Sequence, residues 1–319
     1  MLTLTTAIAD FPAGGTGTVH VAPGWYGVQN MFNDGHGDSA IRISDRAVTV
    51  RGTTGNPADV VVERVNSANY RIFTLAHPGA RVENLTVRNG RADNGAGIFL
   101  FAVDAVAASN CVVTACSGVR GGGIHILGGG LATHCVVTNN TLHDAYGEGG
   151  AAGVYIQSGR LEHSLVTGNT APINNANLAG GVRVNLGSFM VNCTVVGNHG
   201  NNHGGVVAAE GGLVVNTVIA GNSTAWGGNA AAFIKCFTDT VAAINPGCRN
   251  YPAEVMLDEN YYPAHGSPLI GASIDASLYF PAYVKPAVDL AGNPRSRPNG
   301  SHDAGCYEKP PGGTLLMIR

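Results

Sequence analysis

The chain has little charge. Only 12% of its 319 residues are Asp, Glu, Lys or Arg, and lysine occurs three times, at Lys235, Lys285 and Lys309. A net charge of −3 excludes the basic footprint that a nucleic-acid binder needs. No apolar run is long enough to span a bilayer, so the sequence holds no transmembrane helix. The acidic residues are too scattered for a paired-Asp motif, and no HExxH occurs. Seven cysteines do not make a disulfide-dense scaffold at this length. Cys236 and Cys248 lie in an irregular stretch, where they either pair or stay free. The opening "MLTLTTAIADF" lacks a basic segment ahead of its apolar residues. Either the protein stays inside the cell or the sequence is part of a longer exported chain, and we read it as the second.

What is abundant is glycine, 46 residues of it, beside many short β-branched runs. The stretch "GGGIHILGGGLATHCVVTNNT" (Gly121 to Thr141) is nearly rewritten at Ala151 to Thr170 and again at Gly180 to His199. An Asn/His-led signature recurs at Asn84, Asn110, His134, His163, Asn192 and Asn216, with spacings of 26, 24, 29, 29 and 24 residues. A fixed motif at a bounded period marks a solenoid. Short strands without helical period make each unit a coil of β-structure.

Stacked coils put equivalent residues in ladders about 4.8 Å apart. Alternation turns Ile98/Leu100, Ile124/Ile126, Val154/Ile156 and Val182/Val184 inward on one sheet. Cys111/Val113, Cys135/Val137, Ser164/Val166 and Cys193/Val195 turn inward on the next, so these cysteines are expected to be reduced core residues. Glycines 97, 123, 153, 181 and 205 allow a sharp corner. Asn140, Asn169, Asn198 and Asn222 recur in a turn where amides can bond up the stack.

The segments "VHVAPGWY" (Val19–Tyr26), "SPLIGAS" (Ser267–Ser273) and "DLAGNPRSRPNGSHDAGCYE" (Asp289–Glu308) complete the pattern. With them the chain resembles right-handed parallel β-helix proteins of the pectate-lyase-like superfamily, and more narrowly the bacterial choice-of-anchor Q group. That resemblance implies an all-β solenoid and an extracellular or cell-surface setting more than it implies a reaction. The expected architecture is one right-handed parallel β-helix of about ten coils. Residues 1–40 form an N-terminal cap and first coil, 41–244 the coils, and 245–319 an irregular segment packed back on the helix.

The letters that change carry the candidate site. Phe99, His125, Tyr155 and Arg183 point outward on successive coils and are expected to form an exposed face. An arginine there can neutralise a uronate, His or Tyr can act as acid or base, and Phe99 can stack on a sugar. The rim adds Arg120, Asp144, Glu148, Asn177 and His203. No lysine lies on this face, which argues against lysine-based elimination. Asp34 and Asp38 in "NDGHGD" are a weak calcium candidate, with a solvated capping loop as the plainer reading. His134 and His163 take the Asn position of the repeat and read as structural stand-ins, since a metal site needs a third donor. Two functions follow. One is a surface module binding polysaccharide, a cell-surface glycan or another surface partner through Phe99, the rim and the exposed sheet. The other is a polysaccharide lyase, or with two carboxylates a glycoside hydrolase, with His125, Tyr155 and Arg183 as catalytic groups. The outer side of the other sheet, mostly aliphatic at Thr86, Val112, Val136, Leu165, Thr194 and Val218, is expected to be covered by the aromatic-rich tail.

Overall fold

The computed structural model describes residues 3–29, 32–33, 37–101, 105–144, 149–185, 187–209, 211–239, 248–295 and 301–309. Three long sheets run the length of the molecule, with nine, nine and ten strands among the described residues. One coil shows the plan. Strand Ile98–Phe101 belongs to sheet I, Ala107–Ser109 to sheet II and Val112–Thr114 to sheet III, and Ile124–Leu127 then returns to sheet I. Successive coils pair in parallel, with Ile98 beside Ile124 and Val112 beside Val136. The crossover from strand to parallel strand is right-handed, and the fold is a right-handed parallel β-helix. Among the described residues no helix is long and apolar enough to cross a membrane.

The repeat signature is a backbone signature. Asn84, Asn110, His134, His163, Asn192, Asn216 and Lys235 all have φ between 47° and 59°. Each turns the chain from sheet II into sheet III. A second left-handed bend follows the three-residue strand, at Asn89, Ala115, Asn139, Gly168, Gly197 and Gly221. Asn and Gly are the residues that adopt this conformation at least cost, which is why the letters recur.

Next to the first bend runs a ladder of small donors facing the core. The Cys111 thiol lies 3.3 Å from the Ser109 carbonyl, Cys135 3.3 Å from Thr133, and Cys193 3.3 Å from Val191. Ser164 and Thr217 do the same with hydroxyls, at 2.7 Å and 3.0 Å from the carbonyls of Glu162 and Val215. Sulfur and oxygen are interchangeable here because the task is to satisfy a carbonyl inside the corner. All seven cysteines are free thiols, and burial pushes the Cys193 thiol upward. Cys236 and Cys248 are register partners on adjoining strands.

After the second bend the asparagines stack. Asn140 donates from its backbone and from Nδ2 to Asn169 Oδ1, at 2.9 Å each. Asn169 repeats this onto Asn198, and Asn198 onto Asn222. Gly205 shows why a corner needs glycine, since a Cβ there would sit 2.0 Å from the Ala225 carbonyl oxygen.

Sheet II was not separated from its neighbour by the sequence reading. Its inward rungs, Ala108, Ala132, Leu161, Met190 and Val214, are all buried, but no single residue type runs through them. Within residues 1–40, strands Thr16–Val21 and Gly24–Val28 are already rungs of sheets II and III. Helix Leu4–Ala9 packs Leu4 and Ile8 into the main core at that end.

The tail lies along the outer side of sheet III. Leu165, Thr194, Val218 and Phe237 are buried, packed with Leu257, Leu269, Ala304 and Cys306. Further down, Val112 and Val136 are half-buried, and Trp25 on the first rung is 60% exposed.

Two outcomes test this frame. Cys111, Cys135 and Cys193 should resist a thiol reagent until the protein unfolds. Asn169→Ala strands two buried donors of Asn140 and should cost about 2–4 kcal/mol in urea unfolding, more than Asn222→Ala at the half-buried end of the stack.

Candidate functional site

The four changing residues of sheet I do come together. Register places Phe99 beside His125, His125 beside Tyr155 and Tyr155 beside Arg183. Their rings form one stack, with centroids 5.0 Å apart between Phe99 and His125 and 4.8 Å between His125 and Tyr155. The Arg71 guanidinium lies 4.8 Å over the Phe99 ring and closes the lower end. Arg183 closes the upper end, donating from Nε to Asn185 Oδ1 at 3.1 Å and from Nη1 to the Asn177 carbonyl at 2.6 Å. Asn185 also donates to the Tyr155 hydroxyl at 2.9 Å.

The expected exposed face is instead sealed. Phe99 and His125 are 2% exposed, Tyr155 3% and Arg183 8%. The loops that enter sheet I fold over it: Gly149 lies so close to Arg183 that a Cβ would sit 2.7 Å from the guanidinium carbon. Ala151 and Ala179 pack against Val207. These loops fall in the two 29-residue repeats, five residues longer than the shortest spacing. That extra length was the signal available in the sequence.

Burial sets the electrostatics. His125 has its pKa lowered to about 3, first by desolvation and further by the Arg120 and Arg71 charges. Its Nε2 meets Gln157 Oε1 at 3.1 Å, while Nδ1 has no partner among the described residues. At neutral pH the ring is uncharged and cannot act as a cationic acid. Desolvation also lowers the Arg183 pKa.

The rim residues differ in exposure. Arg120 is half-buried and Asp144 exposed. Asn177 is exposed and serves through its carbonyl. His203 is half-buried against Gly227, with its pKa lowered by desolvation. Glu148 and Asp34 lie outside the described residues, and Asp38 opens a strand of sheet I. Among the described residues no three His, Cys, Asp or Glu side chains gather as metal donors.

A second site comes from the tail. A groove of about 360 Å³ runs along the corner between sheets I and II, over Ala105, Gly129, Ser158, Gly159 and Gly187. These belong to four successive coils, so the floor extends roughly 14 Å at the coil spacing. Phe189, Phe280, Arg160 and Ala282 wall it. The two phenylalanine rings lie 4.2 Å apart, and Arg160 lies 4.9 Å over Phe280. Arg160 also approaches Glu162 at 3.6 Å and the Ala282 carbonyl at 3.4 Å. Just outside, Leu278 is 75% and Tyr279 40% exposed. Sequence reasoning missed this groove because its wall joins residues about 120 positions apart.

No family model matches the chain, and no curated protein matches it; the narrower choice-of-anchor resemblance stays an expectation from sequence. Among solved structures the chain is similar to pectate lyase Pel9A, at 14% identity and TM-score 0.48, over 96% of this chain and 90% of that one. It is also similar to a pectin methylesterase from Aspergillus niger, at 15% identity and TM-score 0.42, over 86% and 88%. A third is pectin methylesterase PemA from Erwinia chrysanthemi, at 13% identity and TM-score 0.34, over 78% and 88%. The likeness concerns the fold alone.

The sealed stack changes what substitutions should do. On an exposed face Arg183→Ala would leave stability nearly unchanged. Because it removes buried bonds to Asn177 and Asn185, it should cost about 2–3 kcal/mol, and Tyr155→Phe about 1 kcal/mol. Denaturant unfolding measures both.

Proposed function

We propose that the protein is a non-catalytic module, part of an exported surface protein, that binds polysaccharide in the groove between sheets I and II. The aromatic wall over a side-chain-poor floor carries this reading. Phe280 and Phe189 present apolar ring surface of the kind that packs on pyranose faces. The glycine turns bring peptide groups to the groove surface, where hydroxyls can bond to them. Arg160 adds a charge that can pair with a carboxylate-bearing sugar. The exported setting is carried over from the sequence resemblance.

A lyase or hydrolase working from His125, Tyr155 and Arg183 asks for side chains that reach a sugar, and this stack is under its loops. The ring of His125 and the hydroxyl of Tyr155 are committed to neighbours. A binding role needs no such access to the stack.

Affinity electrophoresis through gels holding neutral or uronate-rich glycans separates the cases. At least one glycan should retard the wild-type protein, Phe280→Ala should lose most of that retardation, and Tyr155→Phe should keep it. Equal retardation of Phe280→Ala, or no retardation by any glycan, sinks the proposal.

A further inference from the structure

The seam between tail and coils is built on histidines. His134 and His163 occupy the left-handed corner of adjacent coils, and their rings stack at 5.4 Å. His134 Nε2 meets the Val288 carbonyl at 3.2 Å. His163 Nε2 meets the Tyr283 hydroxyl at 3.1 Å, and Asn192 donates to the same hydroxyl at 2.7 Å. His302 comes from the tail itself and is 8% exposed. Neither of its ring nitrogens has a partner among the described residues, and nor does His163 Nδ1.

The groups facing these rings oppose a further positive charge. His163 faces Arg295, His134 and His302. His302 faces Arg295 and Lys285, with Asp303 and Asp275 on the favourable side. His134 faces Arg295, with Asp289 opposing. Three of the nearby carboxylates are already engaged. Asp289 accepts backbone N–H groups of Ala291, Asn293 and Glu308. Asp303 accepts from Gly271 and Lys309, and Glu308 pairs with Arg295 at 3.0 Å. Glu162, beside Tyr283, lies next to Arg160. A proton arriving at this seam therefore finds Arg295 and a second imidazole, while Glu162 Oε1 is buried without a hydrogen bond and desolvation raises its pKa.

We propose that the tail is a strap released by protons: histidine protonation at the seam undocks residues 251–309 from the β-helix and bares the outer side of sheet III. The sign follows from the neutral rings. Burial first, then Arg295, lowers His163 well below its ordinary value and His302 to about 4. The undocked tail and corner would titrate near 6.5, so the undocked state binds more protons. Docking is at full strength above pH 6.5 and weakens as pH falls below it. Two such histidines shift the docking equilibrium roughly 250-fold between pH 6.5 and 5. Release would uncover Leu165, Thr194, Val196, Val218, Ala220 and Phe237, all buried when the tail is docked.

Amide hydrogen exchange by mass spectrometry, corrected for its intrinsic pH dependence, reads this directly on the whole chain. Between pH 7.5 and 5 the amides of residues 251–309 should lose protection while those of sheets I and II keep it. Asparagine already fills the same corner at Asn110 and Asn192, so His134→Asn with His163→Asn should keep the coils folded. That variant should move the release midpoint down by about half a pH unit or more, the direction expected when titrating sites are removed. A tail protected equally at both pH values would overturn the proposal. So would coils and tail opening together, or a midpoint unmoved in the variant, which would assign release to the carboxylates. If the double variant lost coil protection at pH 7.5, His302→Gln would replace it under the same criteria.

Discussion

The structure depends on satisfying backbone groups at the corner between sheets II and III. A coil that turns within a residue or two cannot leave a carbonyl or amide dry and unpaired, because each such group costs about as much as a side chain can gain. The chain meets this with a left-handed residue, then a small thiol or hydroxyl facing inward, then a three-residue strand and a second left-handed bend. The asparagine after that bend, where present, bonds to its equivalent in the next coil. Stacking follows from this arrangement, since each coil completes the bonding of the one below it.

The same corner also serves the outside. Below, Asn84 and Asn110 reach the carbonyls of Gly52 and Gly55. Above, His134 and His163 meet the tail at Val288 and Tyr283, while Asn192 and Asn216 reach Tyr283 and Ile274. The most distinctive segment of the sequence, Asp289–Glu308, is spent on this docking. Arg295 binds Glu308 and the Gly305 carbonyl, and Cys306 donates its N–H to Thr194 Oγ1. Among its described residues, Asp289, Arg295, Asp303 and Glu308 close on one another.

Much of this was legible in the sequence, for physical reasons. Inward rungs such as Ile124/Ile126 and Cys135/Val137 show through because strand alternation and the coil period act together. The covered outer side of sheet III was legible from its aliphatic ladder. Sheet II was not, because a rung that needs only apolar bulk accepts Ala108, Leu161 or Met190 alike. The exposure of Phe99, His125, Tyr155 and Arg183 was misjudged. Alternation says which side a residue faces and nothing about what a neighbouring loop lays over it. The Phe280 groove had no local signal, since its floor is made of turns from four coils and part of its wall, Phe280 and Ala282, comes from the tail.

The buried stack also says what kind of letters can change. Coils repeat at about 4.8 Å, slightly more than the thickness of an aromatic ring, so flat side chains on successive rungs meet face to face with a modest tilt. The observed interplanar angles of 25° and 26° fit this. Phe, His and Tyr differ in hydrogen bonding and share flatness. Under a closed loop each polar tip must find its own partner, as His125 does in Gln157 and Tyr155 in Asn185. Variation along this ladder is thus bounded by ring stacking and local satisfaction, whether or not a ligand ever touches it. A surface selected for ligand contact has no such requirement, and the Phe280 groove, where side chains stand over bare glycine turns, fits that description better.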